Sequence, residues 1–473
     1  MPAIELNIGH PPSPRRQRSD DGDDAAPFRV VVLGDFSGRP RARRQPLAER
    51  QPVRIDIDNF DSVFARIAPL TEIAGLQDET GLALRIALEA MDGFSADAVL
   101  ARLPARARAD ASAPPAPAPA SDAGAEDAAA MMKRLLGGEL PAGAPALAAT
   151  PATKADGVVD RFIRQLVGDQ LVAAPPALAT RVDEPAASAL LRHVLRDPAW
   201  RHLECAWRAV DRFVRELDMA DGLVRLELFD CRADELLADL GAVAAEPARA
   251  ALASVLNGDG RGCDVVVSLE EFGPSLVELS LLGGLASVAA AQGAVLLAGA
   301  APALAAVATS DDAQVLASNE SRVWRALRES ALARHLGLTF PRLLARLPYG
   351  PRNEPVAAFP FDELADASAT SPHDALVWRS AALDAALLLA QGHVDGGVET
   401  RLQLADLPAF IDRGGDEPRL QAVAEAYLGE REVNVLQTAG LITLQSDRRV
   451  PSARVSGWQS IAAGGGELAG SWR

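Results

Sequence analysis

Lysine is almost absent from this 473-residue sequence, which contains only Lys133 and Lys154. A catalytic scheme that depends on a lysine amine with a shifted pKa therefore has few candidates. Positive charge is also outweighed, because 47 Lys and Arg residues stand against 64 Asp and Glu residues, for a formal net charge of −17. This balance argues against nucleic acid and against an anionic membrane surface as the main partner.

Cysteine is scarce as well, since Cys205, Cys231 and Cys263 are widely spaced and form no C-x-x-C pair. This pattern argues against a cysteine-based metal site and favours a reducing compartment with buried structural thiols. Residues 1–26 lack the apolar core of a signal peptide and are predicted to be a disordered tail. We therefore expect a cytoplasmic protein without a metal centre.

Common catalytic signatures do not occur, since the sequence has no H-E-x-x-H, G-x-S-x-G or G-x-x-x-x-G-K-[ST] motif. The stretch FRVVVLGDFSGRP, at residues 28–40, is the part of the sequence that most resembles a phosphate-binding loop. Arg39 and Pro40 follow its last glycine, and proline lacks the backbone donor that such a loop needs. The stretch therefore predicts a strand that ends in a turn.

Glu270 and Glu271 are the alternative candidates for catalysis. They follow the apolar run VVVSL, at the end of a predicted strand, where α/β enzymes often carry carboxylates. Carboxylates at strand ends are more often solvated caps. His193 and His202 lie on one predicted helix, where we expect a structural role.

Residues 279–307 carry no charge and are numerous enough to span a bilayer. Gln292 and Gly293 interrupt the run, and the following AVLLAG has the length of a buried strand. The pattern predicts a helix and a strand of an α/β protein, without membrane insertion.

Composition divides the chain into five parts. Residues 107–130 are rich in Ala, Pro, Ser and Asp without periodic apolar residues, which indicates an extended linker, and MMKRLLGG after them predicts a short amphipathic helix. The predicted parts are a disordered tail at 1–26, a small module at 27–106, the linker at 107–156, a large module at 157–462 and a flexible tail at 463–473.

Both modules alternate predicted strands and helices. In the small module a helix is expected to begin at Asn59 or Asp61, and Ser95 is expected to cap another helix. The predicted strands are FRVVVLG, VRIDID, LVRLELFD, CDVVVSLEEFG, AVLLAG and LITLQS, and helices are predicted at 185–217, 321–338, 373–390 and 418–440. This alternation predicts an α/β fold with a parallel or mixed sheet flanked by helices.

An arginine cluster after the first strand forms the strongest positive field in this acidic chain. Its members are Arg39, Arg41, Arg43, Arg44, Arg50 and Arg54. Two interpretations stay open: a solvated loop, or a surface that docks onto a carboxylate-bearing protein, which the guanidinium fork binds well.

Several stretches resemble the sheath subunits of bacterial type VI secretion. FRVVVLGDFSGRP, IDIDNFDSV and DGFSADAVLARLP resemble the small subunit, TssB (VipA). RDPAWRHLECAWRAVDRFV, EEFGPSLVELSLL and the stretch from Trp324 to Leu364 resemble the large subunit, TssC (VipB). The chain is thus similar to a small subunit fused to a large one that is shortened at its C-terminus.

The resemblance implies a structural, non-enzymatic protein that uses no cofactor. Sheath subunits of the family pair and polymerise around an inner tube, so the implied partners are other sheath subunits, the inner-tube protein, the baseplate and the unfoldase ClpV. In the family the two subunits share a sheet, so the small N-terminal module is expected to complete the sheet of the larger module. The shortened C-terminus leaves open a role in capping, nucleating or regulating a sheath.

The resemblance also singles out residues for assembly or for ion pairs. They are Trp207, Arg208, Trp324, Arg325, Arg328, Arg342, Arg346 and Tyr349. The arginines are either internal ion-pair partners or contacts between subunits, and we favour the internal role.

Overall fold

The computed structural model describes residues 27–103 and 184–472, except for gaps at 79, 220, 243–245, 259, 366–371, 397–401 and 413–418. These ranges belong to one compact unit. The predicted tail at 1–26, the linker at 107–156 with its short helix, and the start of the large module at 157–183 lie outside the described residues. The predicted domain boundaries therefore stay predictions.

The strands of the described ranges are numbered in chain order. They are β1 (Phe28–Gly34), β2 (Val53–Ile55), β3 (Leu70–Gln77), β4 (Ala83–Ala87), β5 (Val224–Asp230), β6 (Val265–Phe272), β7 (Val295–Ala300), β8 (Leu336–Phe340), β9 (Leu343–Leu344), β10 (Trp378–Arg379), β11 (Gln403–Leu404), β12 (Ile411–Asp412), β13 (Arg419–Leu420), β14 (Leu441–Ser446) and β15 (Ala453–Val455).

The helices are numbered in the same way. They are α1 (Phe60–Ile67), α2 (Ala96–Arg102), α3 (Glu184–Arg196), α4 (Pro198–Glu216), α5 (Ala233–Ala242), α6 (Ala251–Asn257), α7 (Leu276–Ala291), α8 (Pro302–Ala308), α9 (Ala313–Leu316), α10 (Asn319–Glu329), α11 (Pro372–Ala375), α12 (Ala382–Asp395) and α13 (Glu430–Thr438).

Nine strands form one mixed sheet in the order β11-β15-β14-β8-β7-β6-β1-β5-β2. The six strands from β14 to β5 run parallel, and β2, β15 and β11 are antiparallel to their neighbours. Helices α5, α6, α7 and α10 share one hydrophobic core with the sheet, while α12 packs on β1, β6 and β7 and against α4. The predicted α/β class, with a mixed sheet flanked by helices, is confirmed.

Strand β1 lies inside this sheet, between β5 and β6. All seven of its residues are buried, and it pairs in parallel with β5 along its whole length, from Phe28 opposite Val224 to Gly34 opposite Asp230. Its other edge pairs with β6, from Val30 opposite Val265 to Leu33 opposite Ser268. The expected completion of the larger module's sheet by the small module is confirmed, and the small module supplies an interior strand.

The remaining part of the small module packs around this strand. Asn59 precedes α1, and the Ser95 hydroxyl accepts a hydrogen bond from the Ala98 amide at the start of α2, as predicted. Between them, β3 and β4 form a separate two-stranded antiparallel sheet.

Three of the predicted long helices are too long. The first, at 321–338, ends at Glu329, and Gly337 lies in β8, where a Cβ atom would come within 3 Å of Ile442 and Leu297. The second, at 373–390, contains the short strand β10, and the third, at 418–440, begins with β13 and is helical only from Glu430. In the first two cases strand pairing with a distant segment replaces local helical periodicity, and in the third β13 pairs with β12, which lies just before it in the chain.

The C-terminal segment is not a separate flexible tail, contrary to the prediction for 463–473. Leu468 and Trp472 are buried. The amides of Ala469 and Ser471 donate to the carbonyl oxygens of Arg334 at 2.7 Å and of Gly293 at 3.0 Å. The segment therefore packs against the main unit up to the last described residue.

The uncharged run at 279–307 forms most of α7, all of β7 and most of α8. Among the described helices, none combines the length and the apolar character that crossing a membrane requires.

Candidate functional site

The arginine-rich loop after β1 has both buried and exposed members. Arg44 is buried and forms ion pairs with Asp35, with Asp230 at 3.5 Å and with Glu235 at 3.6 Å. Arg50 binds the two carboxylate oxygens of Glu235 at 2.6 and 2.9 Å. We call these five side chains the loop cluster.

The loop cluster ties the N-terminal residues to β5 and α5. Burial alone would raise the pKa of Glu235, but the hydrogen bond from Arg50 and the charges of both arginines lower it. Asp230 also accepts hydrogen bonds from the amides of Phe36 and Ser37, at 2.8 and 2.9 Å. Because these amides already bind a carboxylate of the chain itself, they are not available to a phosphate group. This agrees with the prediction that the stretch is a strand that ends in a turn.

The other predicted arginines of this loop lie outside the cluster. Arg39 donates to the carbonyl oxygen of Ile67 at 3.1 Å, whereas Arg41, Arg43 and Arg54 are exposed. The exposed arginines stay candidates for docking onto another protein.

A second cluster of charges is buried between α4 and the segment after β9. The Arg346 guanidinium donates to Glu204 at 2.9 Å and, through two nitrogens, to Glu363 at 2.7 and 2.9 Å. Arg208 donates to the same oxygen of Glu204 at 2.8 Å, and the Tyr349 ring lies 4.4 Å from the guanidinium carbon of Arg346. We call these five residues the central cluster.

Mutual compensation keeps Glu204 and Arg346 ionised. The side chains of Glu204, Glu363 and Arg346 are at most 2% exposed. Burial alone would raise the pKa of Glu204, but the charges of Arg346 and Arg208 lower it. Burial would likewise lower the pKa of Arg346, yet the two carboxylates raise it well above its ordinary value. Arg208 and Arg346 are thus engaged inside the chain.

The central cluster reaches the small module through Tyr349. Its hydroxyl donates to the carbonyl oxygen of Phe94 at 3.2 Å, and burial raises its pKa to about 12. Nearby, Asp97 accepts a hydrogen bond from the Ala357 amide at 2.9 Å. The stretch after Arg346 therefore holds the start of α2.

Aromatic rings fill the joint between α4 and the small module. The Trp207 ring lies 4.5 Å from Phe64, 5.7 Å from Phe36 and 5.9 Å from Phe60, measured between ring centroids. Its indole nitrogen donates to the carbonyl oxygen of Phe36 at 2.9 Å. Trp207 is therefore a core residue that binds the two regions together.

The three residues predicted on α10 lie in different environments. Trp324 is buried in the core shared with α7, whereas Arg325 is exposed. Arg328 donates to the carbonyl oxygens of Ile461 at 2.8 Å and Thr438 at 3.2 Å, and burial lowers its pKa. Of the three, Arg325 alone offers an uncovered side chain to a partner.

Glu204 and Glu363, the two carboxylates of the central cluster, were not predicted from the sequence. Glu204 carried one signal, because it lies on the apolar face of α4 between Leu203 and Trp207, where a charge needs a buried partner. Glu363 carried none, since only the fold brings it to Arg346.

A cavity of about 410 Å³ lies at the carboxyl end of β6. Its lining includes Glu270 and Glu271, the alternative catalytic candidates, together with His202, Cys205 and Arg342. The Glu270 carboxylate lies 3.7 Å from His202, and the Glu271 carboxylate lies 3.4 Å from Arg342. The structure thus brings together residues that the sequence had suggested separately.

An irregularity in β6 explains why two consecutive carboxylates face one cavity. Val267 is opposite Leu297, but Glu271 is opposite Gly299, so β6 carries two extra residues at this point. Successive side chains of a regular strand point to opposite faces, and a bulge re-aims them.

The charge of Glu271 depends on this environment. Burial raises its pKa to about 7, Arg342 opposes the rise, and the charges of Glu425 and Glu270 add to it. Arg342 offsets the effect of burial on Glu271 only in part, because its Nε already donates to Glu425 at 2.7 Å.

Burial also determines the state of the thiols. It raises the pKa of Cys205 and that of Cys263 to about 12, and it raises the pKa of Cys231 well above the ordinary value. All three thiols are therefore protonated at neutral pH, which weighs against a cysteine nucleophile in the cavity. Over the ranges that the structure describes, no group of three or more His, Cys, Asp or Glu side chains is arranged to hold a metal ion.

Replacing Glu271 with glutamine is expected to stabilise the protein at alkaline pH. The folded-state pKa of about 7 lies above the ordinary 4.5, so the stability that protonation contributes is complete below pH 4.5 and lost as the pH rises through 7. Glutamine resembles the protonated form, so Glu271→Gln should raise the free energy of unfolding by about 1–3 kcal/mol at pH 8. Urea unfolding at pH 5 and pH 8 measures this.

The matched control is Glu329→Gln, at the exposed end of α10. It should change the free energy of unfolding by less than about 0.5 kcal/mol at either pH. An equal effect of Glu271→Gln at both pH values would contradict the assigned pKa shift.

Two family models match the sequence on either side of the predicted linker. The model described as "EvpB/VC_A0108, tail sheath N-terminal domain" matches residues 178–462. The model described as "Type VI secretion system, VipA, VC_A0107 or Hcp2" matches residues 19–108. The first range contains α3 to β15, and the second contains β1 to α2.

Similar proteins include two from Pseudomonas aeruginosa. The type VI secretion system sheath protein TssC1 is 29% identical over 221 residues, which are 43% of this chain and 43% of that protein. The type VI secretion system sheath protein TssB1 is 36% identical over 76 residues, which are 15% of this chain and 44% of that protein. The chain thus spans less than half the length of each of these curated relatives.

Proposed function

The chain belongs to the VipB tail-sheath family of type VI secretion and carries a VipA region ahead of it, and we propose that it acts as a non-enzymatic structural component of a contractile sheath. The single observation that carries this proposal is the position of β1. The VipA-like region supplies an interior strand to the sheet of the VipB-like region, so the two regions form one structural subunit.

The charges and aromatic rings at the joint support a structural role. The loop cluster and Trp207 join residues of both regions, and the central cluster reaches the VipA-like region through the Tyr349 hydroxyl. Arg41, Arg43 and Arg325 stay exposed, and we propose them as contacts to neighbouring sheath subunits. Contacts with the inner-tube protein, the baseplate and ClpV, and a cytoplasmic location, belong to the same proposal.

The alternative is an enzyme that uses Glu270 and Glu271. The cavity supports it, because it places both carboxyl groups beside His202 and Arg342. The protonated thiol of Cys205 and the family match favour the structural role instead.

Negative-stain electron microscopy of the purified chain tests the proposal. Alone, or mixed with a separately produced TssB–TssC pair, the chain is expected to form tubes, rings or mixed assemblies. Arg325→Ala should reduce assembly without changing the melting temperature, because the side chain is exposed.

Arg322→Ala is the matched control on the same helix, since Arg322 is exposed and binds Asn319 within α10 at 2.9 Å. It should assemble like the parent chain. A chain that remains monomeric at every concentration, and that never joins the TssB–TssC pair, contradicts the proposed function.

A further inference from the structure

The cavity at the end of β6 has a distinctive balance of donors and acceptors. Three guanidinium groups line it, and each is already bound: Arg342 by Glu425, Arg379 by Asp384, and Arg201 by carbonyl oxygens of the segment 374–375. The donors around the cavity are therefore committed to acceptors of the chain itself.

The acceptors of the cavity are bound less completely. Among the basic groups that the structure describes, Glu270 meets only His202, at 3.7 Å, and Glu271 meets only Arg342, at 3.4 Å. Both distances exceed those of a charge-assisted hydrogen bond, which are about 2.7–2.9 Å. Two carboxyl groups therefore face a cavity with hydrogen-bonding capacity to spare.

The remaining wall of the cavity suits the flat or aliphatic part of a cation. It is formed by Ala206, Ala209, Leu376 and Trp378. The Trp378 indole is fixed, because its nitrogen donates to the carbonyl oxygen of His373 at 2.9 Å. Apolar and aromatic walls around convergent carboxylates are the chemistry that recognises organic cations.

We propose that this cavity binds an organic cation that carries a guanidinium or primary ammonium group, held by Glu270 and Glu271. The site is additional to the proposed sheath role and does not depend on it. A free small molecule and an arginine side chain of a second copy of this chain share this chemistry. Arginine is the form that a second copy would supply, because the sequence has only two lysines.

Proton release is coupled to this binding. The charged groups around Glu271 are Arg342, Glu425 and Glu270, and its pKa of about 7 means that it is partly protonated at neutral pH. A cation favours the ionised carboxylate, so binding lowers this pKa and releases a proton. Affinity should therefore rise between pH 6 and pH 8.

Calorimetric titration of the full chain with agmatine, at pH 6 and pH 8, tests the proposal. We expect saturable binding at one site, tighter at pH 8 and accompanied by proton release. Glu270→Gln and Glu271→Gln should each weaken binding by about tenfold or more, since each removes a charge-assisted hydrogen bond. Butylurea, which has a similar shape and no charge, should not bind.

Glu329→Gln is the matched control for lost negative charge, and it should bind agmatine like the parent chain. No binding up to about 10 mM agmatine, or equal binding by the parent chain and both cavity variants, overturns the proposal. Folding of each variant is checked by circular dichroism, and Glu271→Gln is expected to be at least as stable as the parent chain.

Sedimentation with and without agmatine separates the two sources of the cation. If agmatine leaves the oligomeric state unchanged while it saturates the cavity, the ligand is a free small molecule. If agmatine disperses assemblies of the parent chain, and Glu271→Gln disperses them as well, the occupant is a side chain of a second copy. Because sheath assembly is scored separately by microscopy, failure of this proposal is distinguishable from failure of the proposed function.

Discussion

Replacing Arg346 with methionine is expected to lower the free energy of unfolding by about 3–5 kcal/mol. The substitution leaves Glu204 and Glu363 buried without their shared guanidinium, and Glu204 then keeps only Arg208. Removing one partner of a buried ion pair has a large effect, because the remaining charge is neither hydrated nor compensated. Urea unfolding at pH 7, followed by circular dichroism, measures this change.

The proposed origin of the loss can be checked within the same cluster. Adding Glu363→Gln to Arg346→Met removes the carboxylate that has lost its ion-pair partner and should restore part of the stability. Arg325→Met is the matched control, because its side chain is exposed, and it should change stability by less than about 0.5 kcal/mol. A loss below about 1 kcal/mol for Arg346→Met would show that the central cluster contributes little to folding.

Three interior strands of the sheet could be predicted because each one is strongly apolar. FRVVVLG, CDVVVSL and AVLLAG are continuous apolar runs, as expected for parallel strands that are covered by helices on both faces. The cap of α2 was predictable for a similar reason, since the Ser95 hydroxyl binds the nearby Ala98 amide at the start of the same helix. Local signals were therefore sufficient for the parts of the fold that local chemistry determines.

The missed features depend on pairing between distant residues. Gly337 falls in the helix predicted at 321–338, but it lies in β8 between Leu297 and Ile442, which are far away in the sequence. The ion pair of Arg29 with Glu227 was also missed, because the two residues are 198 positions apart in the sequence and belong to no recognisable motif. For the cavity, Glu270 and Glu271 were singled out from the sequence, but the irregularity in β6 that turns both to one side was not predictable from it.

The position of β1 also bears on how the two regions depend on each other. A strand added at the edge of a sheet could detach and leave the remaining sheet intact, whereas β1 is hydrogen-bonded on both edges. Strand β5 and the edge strand β2 reach the remaining sheet only through β1. The VipB-like region therefore lacks a continuous sheet without the VipA-like region.

Deleting residues 1–106 is accordingly expected to make the remaining chain insoluble. The deletion removes β1 and β2, separates β5 from β6, and uncovers Trp207 and its neighbours on α4. Unpaired strand edges flanked by apolar surface promote aggregation. The fraction of soluble protein after expression measures the effect, and co-expression of residues 1–106 as a separate chain should restore solubility because it supplies the missing strand.

A milder change to the same strand avoids the loss of a whole region. Val30 is fully buried in β1, so Val30→Ala should lower the free energy of unfolding by about 2 kcal/mol, whereas Leu82→Ala, at a position that is 68% exposed, should have almost no effect.

The deletion gives the sharper test. If the chain that lacks residues 1–106 stays soluble and melts at the same temperature as the full chain, β1 does not hold the sheet together. In that case the single-subunit interpretation fails with it, because the VipB-like region would then fold without its interior strand.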